Sequence, residues 1–560
     1  MRPLSRAGWI LAALFFAALL TARIVAVFHY HVDSDEPQHL HVVWGWANGM
    51  LQYRDLFDNH SPLFQMLCAP IFKLFGERAD IIVPMRLLML PLFAVDLWFV
   101  FLLASRVFRE TRAALWATAL TAFFPKFFLP TTEFRTDDLW VLLWLASLVI
   151  VTGGKFSGRR AFFFGLTMGA AFATSMKTSL LLFCLSLAGL VIVCLRRFVL
   201  KRDALALSEI VKSCALAAVG MLIVPAALVA FFASKGALHA MIYCVIEHNN
   251  VPGLGKWRKP GFHQYLFAIW FPVFVALAWL ALRRSRDERD ARSGAALALF
   301  VITGGSFYMA LRSFWPLVTA QDFAPPAPLI MIAVTVCLFW IGRFAARLHP
   351  SLIYVLPVLI LCVECRLIFA RGAFSRHDVD HSIEHLAEML RLTDPGDYVM
   401  DAKGESIFRK RAYYWVLEGI TITRIKHGIL PTDLCASNDL RECLVKTKTC
   451  ALYEHRIPEA DRQWVRDNYI YGRGVVLVAG KQLGVVAPGA HSFFETTIPA
   501  NYAIVAQNRT PVSGVLDGKP LAASQFLAPG QHDLQIAAGG GQLAVVWTQA
   551  VERGFEPKFR

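Results

Sequence analysis

A succession of apolar stretches, each about as long as a bilayer is thick, limits what this sequence can fold into. Spanning the hydrocarbon core takes about 20 predominantly apolar residues. Trp9 to Phe28, Met85 to Phe108 and Ser208 to Phe232 meet that length, and several more follow. The composition agrees, with 56% hydrophobic and 17% charged residues in 560 and a mean hydropathy of +0.49, outside the usual range of a soluble domain. The chain is therefore read against a bilayer. Residues 1–28 have the basic start and apolar centre of a signal peptide, but Arg23 and Ile24 stand where small cleavage-site residues belong, so a retained first helix is expected.

The formal net charge of +15 raises nucleic acid as a partner, and the placement of the charge argues against it. Arg106, Arg109 and Arg112, then Lys155, Arg159 and Arg160, then Arg196, Arg197, Lys201 and Arg202, then Arg283 through Arg292 form short runs between apolar segments, as cytoplasmic loops do. With Arg2 and Arg6 taken as cytoplasmic, helices are expected near 7–28, 81–108, 113–131, 138–153, 161–175, 178–195, 208–233, 264–283, 294–312, 326–343 and 351–371. About eleven spans put every basic run inside and the polar tail outside. The shorter stretch Ser61 to Gly76, which carries Lys73, fits a re-entrant or interfacial helix better than a span.

Near Ser375 the long apolar runs end and charge rises, with an amphipathic pattern in Ile383, Leu386, Met389 and Leu390. The expected organisation is a membrane domain over 1–372, a mixed α/β domain over 375–485 and a β-sandwich-like domain over 490–560. Tyr502 to Gln507, Gly514 to Leu516, His532 to Ala537 and Leu543 to Trp547 alternate as short strands, with Asp517-Gly518 and Pro529-Gly530 as turns. Of the eleven cysteines, eight precede residue 366 and read as small hydrophobes. Cys435, Cys443 and Cys450 are close enough in sequence for one disulfide in an oxidising space.

Two acidic clusters fall on the expected outer side. The first contains Asp35 and Glu36, with His39, His41 and His60 after them. Hydration of an exposed loop explains a lone carboxylate, but Asp35 stands where the chain leaves the first span, and an ionisable group at the bilayer edge is a functional candidate. His39 is four residues beyond Asp35 and shares a face with it if the segment is helical. Asp35, His39 and His60 would supply at most two or three metal ligands where a closed site needs three or four. A divalent metal therefore stays an option, and no cofactor is required. The second cluster is Glu133-Phe134-Arg135-Thr136-Asp137-Asp138. A solvated helix start accounts for the paired aspartates, yet Arg135 lies between carboxylates. Lys177 and the loop residues Lys256, Arg258 and Lys259 add outer cations against the positive-inside bias. Such cations are what a lipid-borne phosphate requires.

Together, Asp35-Glu36 after the first span, His60-Ser61-Pro62-Leu63, and Glu133-Phe134-Arg135-Thr136-Asp137 resemble the signature of GT-C glycosyltransferases related to protein O-mannosyltransferases and the lipid A aminoarabinose transferase. The resemblance covers roughly the first 370 residues. It implies a GT-C fold and a sugar donor on a polyprenyl-phosphate carrier. It further implies Asp35 as the catalytic residue, read here as the base, with Asp137 in the same cavity and His60 on the carrier phosphate; Glu36, next to Asp35, is read as orienting its neighbours. Ser61 stands where the family has a first Pro, and Gln38 where the aminoarabinose transferases have an Arg. Arg135, Lys177 and Arg258 would complete the phosphate grip. The acceptor would be a lipid, glycan or protein outside a bacterial inner membrane, with inversion at the sugar carbon and the tail in the periplasm. An O-antigen ligase or polymerase would instead place an Arg and His pair in a large late loop, and a transporter or membrane anchor with a glycan-binding tail would need no base.

Overall fold

The computed structural model describes residues 4–154, 157–201, 207–251, 261–283, 288–451, 456–472, 474 and 476–559. Two compact units emerge. The first comprises 1–32, 59–67 and 83–379, the second 33–58, 68–82 and 380–560.

Among the described residues, the helices long and apolar enough to cross a membrane are Arg6–His29, Ile82–Val107, Thr178–Val199, Ser208–Ser234, Phe262–Arg283, Arg289–Phe314, Ala327–Ala345 and Pro350–Ala370. Thr111–Phe123 and Pro125–Thr132 form a ninth if counted as one span, bent by 64°. Pro125 causes the bend, because Phe124 before it is forced out of helical geometry (ψ 121°). Arg23 of the first helix donates to the carbonyls of Phe128 and Thr131 and, at 2.6 Å, to Thr132 Oγ1, so the turns beyond the bend are satisfied inside the protein. The expected helices near 138–153 and 161–175 are Thr136–Thr152 and Gly158–Thr174, each of 17 residues, about 25 Å and at the short limit of a span. Leu63–Phe75, at 13 residues, falls short of one.

Small residues set the closest helix packing. A Cβ on Gly165 would lie 1.9 Å from the Ala217 carbonyl oxygen, and one on Gly169 would lie 2.3 Å from that of Met221. Gly158–Thr174 therefore packs against Leu207–Ser234 backbone to backbone through a Gly-x-x-x-Gly face. The apolar core of this unit gathers Phe93, Val100, Phe127, Trp140, Trp144, Phe300 and Leu329. Trp140 and Trp144 are not left with bare indoles in that core. Trp140 Nε1 donates to Thr178 Oγ1 at 2.9 Å, and Trp144 Nε1 to the Pro325 carbonyl at 3.1 Å.

The tail of the second unit is mixed α/β. Its strands are β1 (Tyr398–Asp401), β2 (Lys410–Arg411), β3 (Thr449–Ala451), β4 (Tyr469–Tyr471), β5 (Leu477–Val486), β6 (His491–Thr496), β7 (Ala500–Ala506), β8 (Ser513–Leu516), β9 (Lys519–Pro520), β10 (Gln525–Leu527), β11 (Gly530–Ala538) and β12 (Gly541–Trp547). One sheet runs β10-β7-β12-β5-β3-β1-β2, with β4 also on β5, and a second runs β6-β11-β8-β9. β12 pairs antiparallel with β5, so the larger sheet takes strands from both sides of residues 487–490. The turn Asp517-Gly518 between β8 and β9 has both residues left-handed (φ 53° and 74°), as a tight hairpin needs. Contrary to the disulfide expectation, Cys435, Cys443 and Cys450 are free thiols. Cys435 Sγ turns toward Asn438 Oδ1 at 3.1 Å, and Cys450 is fully buried on β3.

Candidate active site

In the second unit the helix Asp35–Ala47 begins at Asp35, which together with Glu36 forms an acidic first turn. Carboxylates there face the positive end of the helix dipole. Asp33 Oδ1 accepts from the Asp35 amide at 2.9 Å and fixes the helix start. Glu36 is fully buried, so hydration does not explain it.

The partner of Asp35 comes from the tail. Lys403 Nζ donates to Asp35 Oδ1, and the same ammonium is 3.7 Å from Glu418 Oε2. The Lys403 side chain is 7% exposed and that of Asp35 17%. The segment after β1 is built to deliver this lysine. Buried Asp401 accepts from the amides of Gly404 at 2.8 Å and Ser406 at 2.9 Å, and from Arg411 Nε at 2.7 Å. Burial works to raise the Asp401 carboxyl, but Arg411, His41 and Ser406 outweigh it and hold the group below its usual range. Gly404, at φ 91°, has room for no side chain, since a Cβ would lie 2.9 Å from His41 Cβ and 3.2 Å from Gln38 Cα. Thus the loop lies flat on the helix that carries Asp35. His41 Nδ1 meets the Ile407 carbonyl at 2.9 Å, and Phe57 packs on Trp415 with centroids 5.2 Å apart.

The metal option changes shape within this unit. Asp35 is committed to a cation, and the carboxylate with a ligand atom within 4.8 Å of a His39 ring nitrogen is Asp58. Asp58 also accepts from Gln38 Nε2 at 3.0 Å and Gln52 Nε2 at 2.7 Å.

In the first unit the motif around Arg135 opens the helix Thr136–Thr152. Arg135 is its N-cap, and its amide meets Asp138 Oδ2 at 3.4 Å. Glu133, Arg135, Asp137 and Asp138 are all buried, which removes the solvated-helix explanation. Arg135 Nε is 3.2 Å from Asp137 Oδ2 and 3.7 Å from Glu133 Oε2. Gln321 Nε2 donates to Glu133 at 3.0 Å. Lys177, the residue before the helix Thr178–Cys194, pairs with fully buried Asp322. Burial opposes the Lys177 charge, yet Asp322 and Asp137 outweigh it and hold the ammonium above its ordinary range. Phe64 packs on Phe134 with centroids 5.0 Å apart, and Asn59 exchanges hydrogen bonds with Asn249 at 3.2 and 3.0 Å, which anchors both sides of His60. Arg258, with Lys256 and Lys259, lies outside the described residues.

Sequence reasoning singled out Asp35, Glu133, Arg135, Asp137 and Lys177, which the structure places in ionic contacts, but not their partners Lys403, Glu418, Gln321 and Asp322. For Asp322 a signal existed: an acidic residue in Gln321-Asp322-Phe323 on the expected outer side, opposite Lys177. For Lys403 there was none, because nothing in one sequence links positions 35 and 403.

The first unit is a helical bundle with buried ionic clusters and the tail is mixed α/β, and the comparisons give the fold its class. The family model described as dolichyl-phosphate-mannose-protein mannosyltransferase matches residues 59–228, which include His60, Arg135, Asp137 and Lys177. Among solved structures, ArnT from Cupriavidus metallidurans bound to undecaprenyl phosphate is similar with a TM-score of 0.57 at 14% identity, over 85% of this chain and 98% of that one. ArnT from the same organism in the apo state gives 0.53 at 15% identity, over 84% and 98%. No curated protein matches the sequence. The chain has the GT-C fold and, within that class, resembles ArnT and the protein mannosyltransferases.

Proposed function

We propose that this chain is a glycosyltransferase that moves one monosaccharide from a polyprenyl-phosphate carrier to a lipid, glycan or protein acceptor on the outer face of a bacterial inner membrane. The observation that carries the reading is the ionic cluster of buried Glu133, Arg135, Asp137 and Asp322 with half-buried Lys177. Burying so many charges costs folding free energy that apolar packing would not, and such clusters in membrane proteins mark the functional path. The match over residues 59–228 supports the same assignment.

The chemistry is a single inverting displacement. An acceptor hydroxyl oxygen bonds to the anomeric carbon as the bond from that carbon to the carrier phosphate oxygen breaks, and the electron pair leaves with the phosphate. Asp35 takes the hydroxyl proton, with Glu36 beside it in the same first turn of the helix. His60, Arg135, Lys177 and Arg258 receive the phosphate charge. In the free protein Arg135 and Lys177 already face carboxylates, so the donor phosphate must win them from Glu133, Asp137 and Asp322. This exchange ties phosphate binding to rearrangement at the site. Lys403 acts on Asp35 as a positioning residue.

The test is incubation of the purified full-length chain with a panel of polyprenyl-phosphate sugars and extracted envelope acceptors, read by mass. The reading predicts an acceptor heavier by one monosaccharide and a free carrier phosphate. Intact donors throughout, with the protein folded, would overturn it.

A further inference from the structure

A second group of cations lies in the first unit, outside the residues assigned to the donor phosphate. Lys126 belongs to the short helix Pro125–Phe128, Arg312 to the last turn of the helix ending at Phe314, and Arg371 caps the helix Val355–Ala370. Lys126 Nζ lies 3.9 Å from the centroid of the Phe323 ring, and Arg312 Cζ lies 5.5 Å from the same ring. Arg312 also sits over Tyr308 at 5.3 Å, and Tyr308 packs on Phe323 with centroids 4.8 Å apart. Phe128, two residues after Lys126, meets Phe374, three residues after Arg371, at 6.3 Å. Arg312 and Arg371 are both within electrostatic reach of Lys126.

Each arginine alone has an ordinary explanation, since cations suit helix C-termini. That explanation does not account for Lys126 and Arg312 gathering about one aromatic pair, Phe323 and Tyr308. Among the described residues, no carboxylate is paired with Lys126 or Arg371. All three cations are at the end of their helices opposite the basic runs at Arg106 to Arg112, Arg289 to Arg292 and Arg343 to Arg347, so they run against the positive-inside bias. The lysine supplies a compact charge and the guanidinium forks match paired oxygens, a combination suited to phosphate. The apolar flank of Phe323 and Tyr308 suits a group attached to a lipid.

We propose that Lys126, Arg312 and Arg371 form a seat for a phosphate group, carried by a lipid at that face of the membrane and separate from the donor phosphate. The seat would hold a lipid acceptor or an anionic envelope lipid by its headgroup.

The test uses the full-length chain in detergent and native mass spectrometry, with dioleoyl phosphatidate, dioleoylglycerol of the same chains, and inorganic phosphate as probes. Phosphatidate should bind and dioleoylglycerol should not. The double substitution K126Q/R371Q should weaken phosphatidate about thirtyfold, the effect expected for two cations near a membrane surface, and the charge-retaining K126R/R371K should restore most of it. Inorganic phosphate binding as tightly as phosphatidate would overturn the assignment to a lipid, whereas weaker binding supports it. Equal binding of dioleoylglycerol, or wild-type affinity in K126Q/R371Q, would overturn the proposal. No sugar transfer is read, so this outcome is independent of the activity proposed above.

Discussion

Replacing Lys403 with Met removes an ammonium that faces both Asp35 and Glu418 while keeping most of the side-chain volume. Taking one partner from a buried ion pair costs about 3 to 5 kcal/mol. The lower end applies, because the Asp35 side chain keeps 17% exposure and water can reach the stranded carboxylate. A loss of about 3 kcal/mol lowers protection against local opening roughly a hundredfold. Asp35→Asn is milder, since Lys403 keeps Glu418 at 3.7 Å, and about half the cost, roughly a tenfold loss, is expected. The asymmetry separates a true pair from two unrelated surface changes. Hydrogen exchange of amides 398–418, read by mass on the full chain, measures it. The double variant removes both charges at once, so its protection should fall no further than that of K403M. A thousandfold loss in the double variant, the product of the two singles, would refute the pairing, as would unchanged protection in K403M.

Other consequences can be measured as directly. Burial and the Asp401 carboxylate push Glu405 up to about 7 from 4.5, so the folded state holds that proton more tightly than the unfolded chain. Stability from this group therefore falls as pH rises from about 4.5 to about 7; E405Q should melt higher than wild type at pH 8 and at the same temperature at pH 4, and equal melting at both would contradict the assignment. Gly165→Leu would drive a side chain into the Ala217 carbonyl and should cost about 2 kcal/mol or more in thermal unfolding, whereas Gly189→Leu, with nothing within 4 Å of its added Cβ, should change little. Glu133→Gln removes a charge 3.7 Å from Arg135 Nε; if that carboxylate competes with the donor phosphate, the donor KM should fall about fivefold, for about 1 kcal/mol regained, and a raised KM would exclude the competition.

Apolar length is a local property, so the membrane helices were legible: each expected span has a helix at its place, nine of them long and apolar enough to cross among the described residues when the bent pair over 113–131 counts as one. The strands near 502–507, 514–516, 532–537 and 543–547 were legible for the same reason, since alternation and the Asp517-Gly518 turn are local signals. Gly165 and Gly169 offered a four-residue spacing that composition alone does not bring forward. What stayed hidden depends on long-range pairing. Residues 33–58 belong to the same compact unit as the tail, although they follow the first span directly in sequence, so the loop that carries Asp35 was expected with the membrane domain. Asp322, in the short helical turn Gln321–Phe323, and Lys403 are single charges that their partners, Lys177 and Asp35, give meaning.

The central claim is that Asp35 takes the acceptor proton during sugar transfer. Its most direct test compares wild type and D35N in single-turnover transfer from a polyprenyl-phosphate sugar, with donor binding measured on the same preparations. A general base contributes about 10²- to 10⁴-fold, so the account predicts a rate loss of that size in D35N with donor affinity retained. Transfer by D35N at the wild-type rate would contradict it.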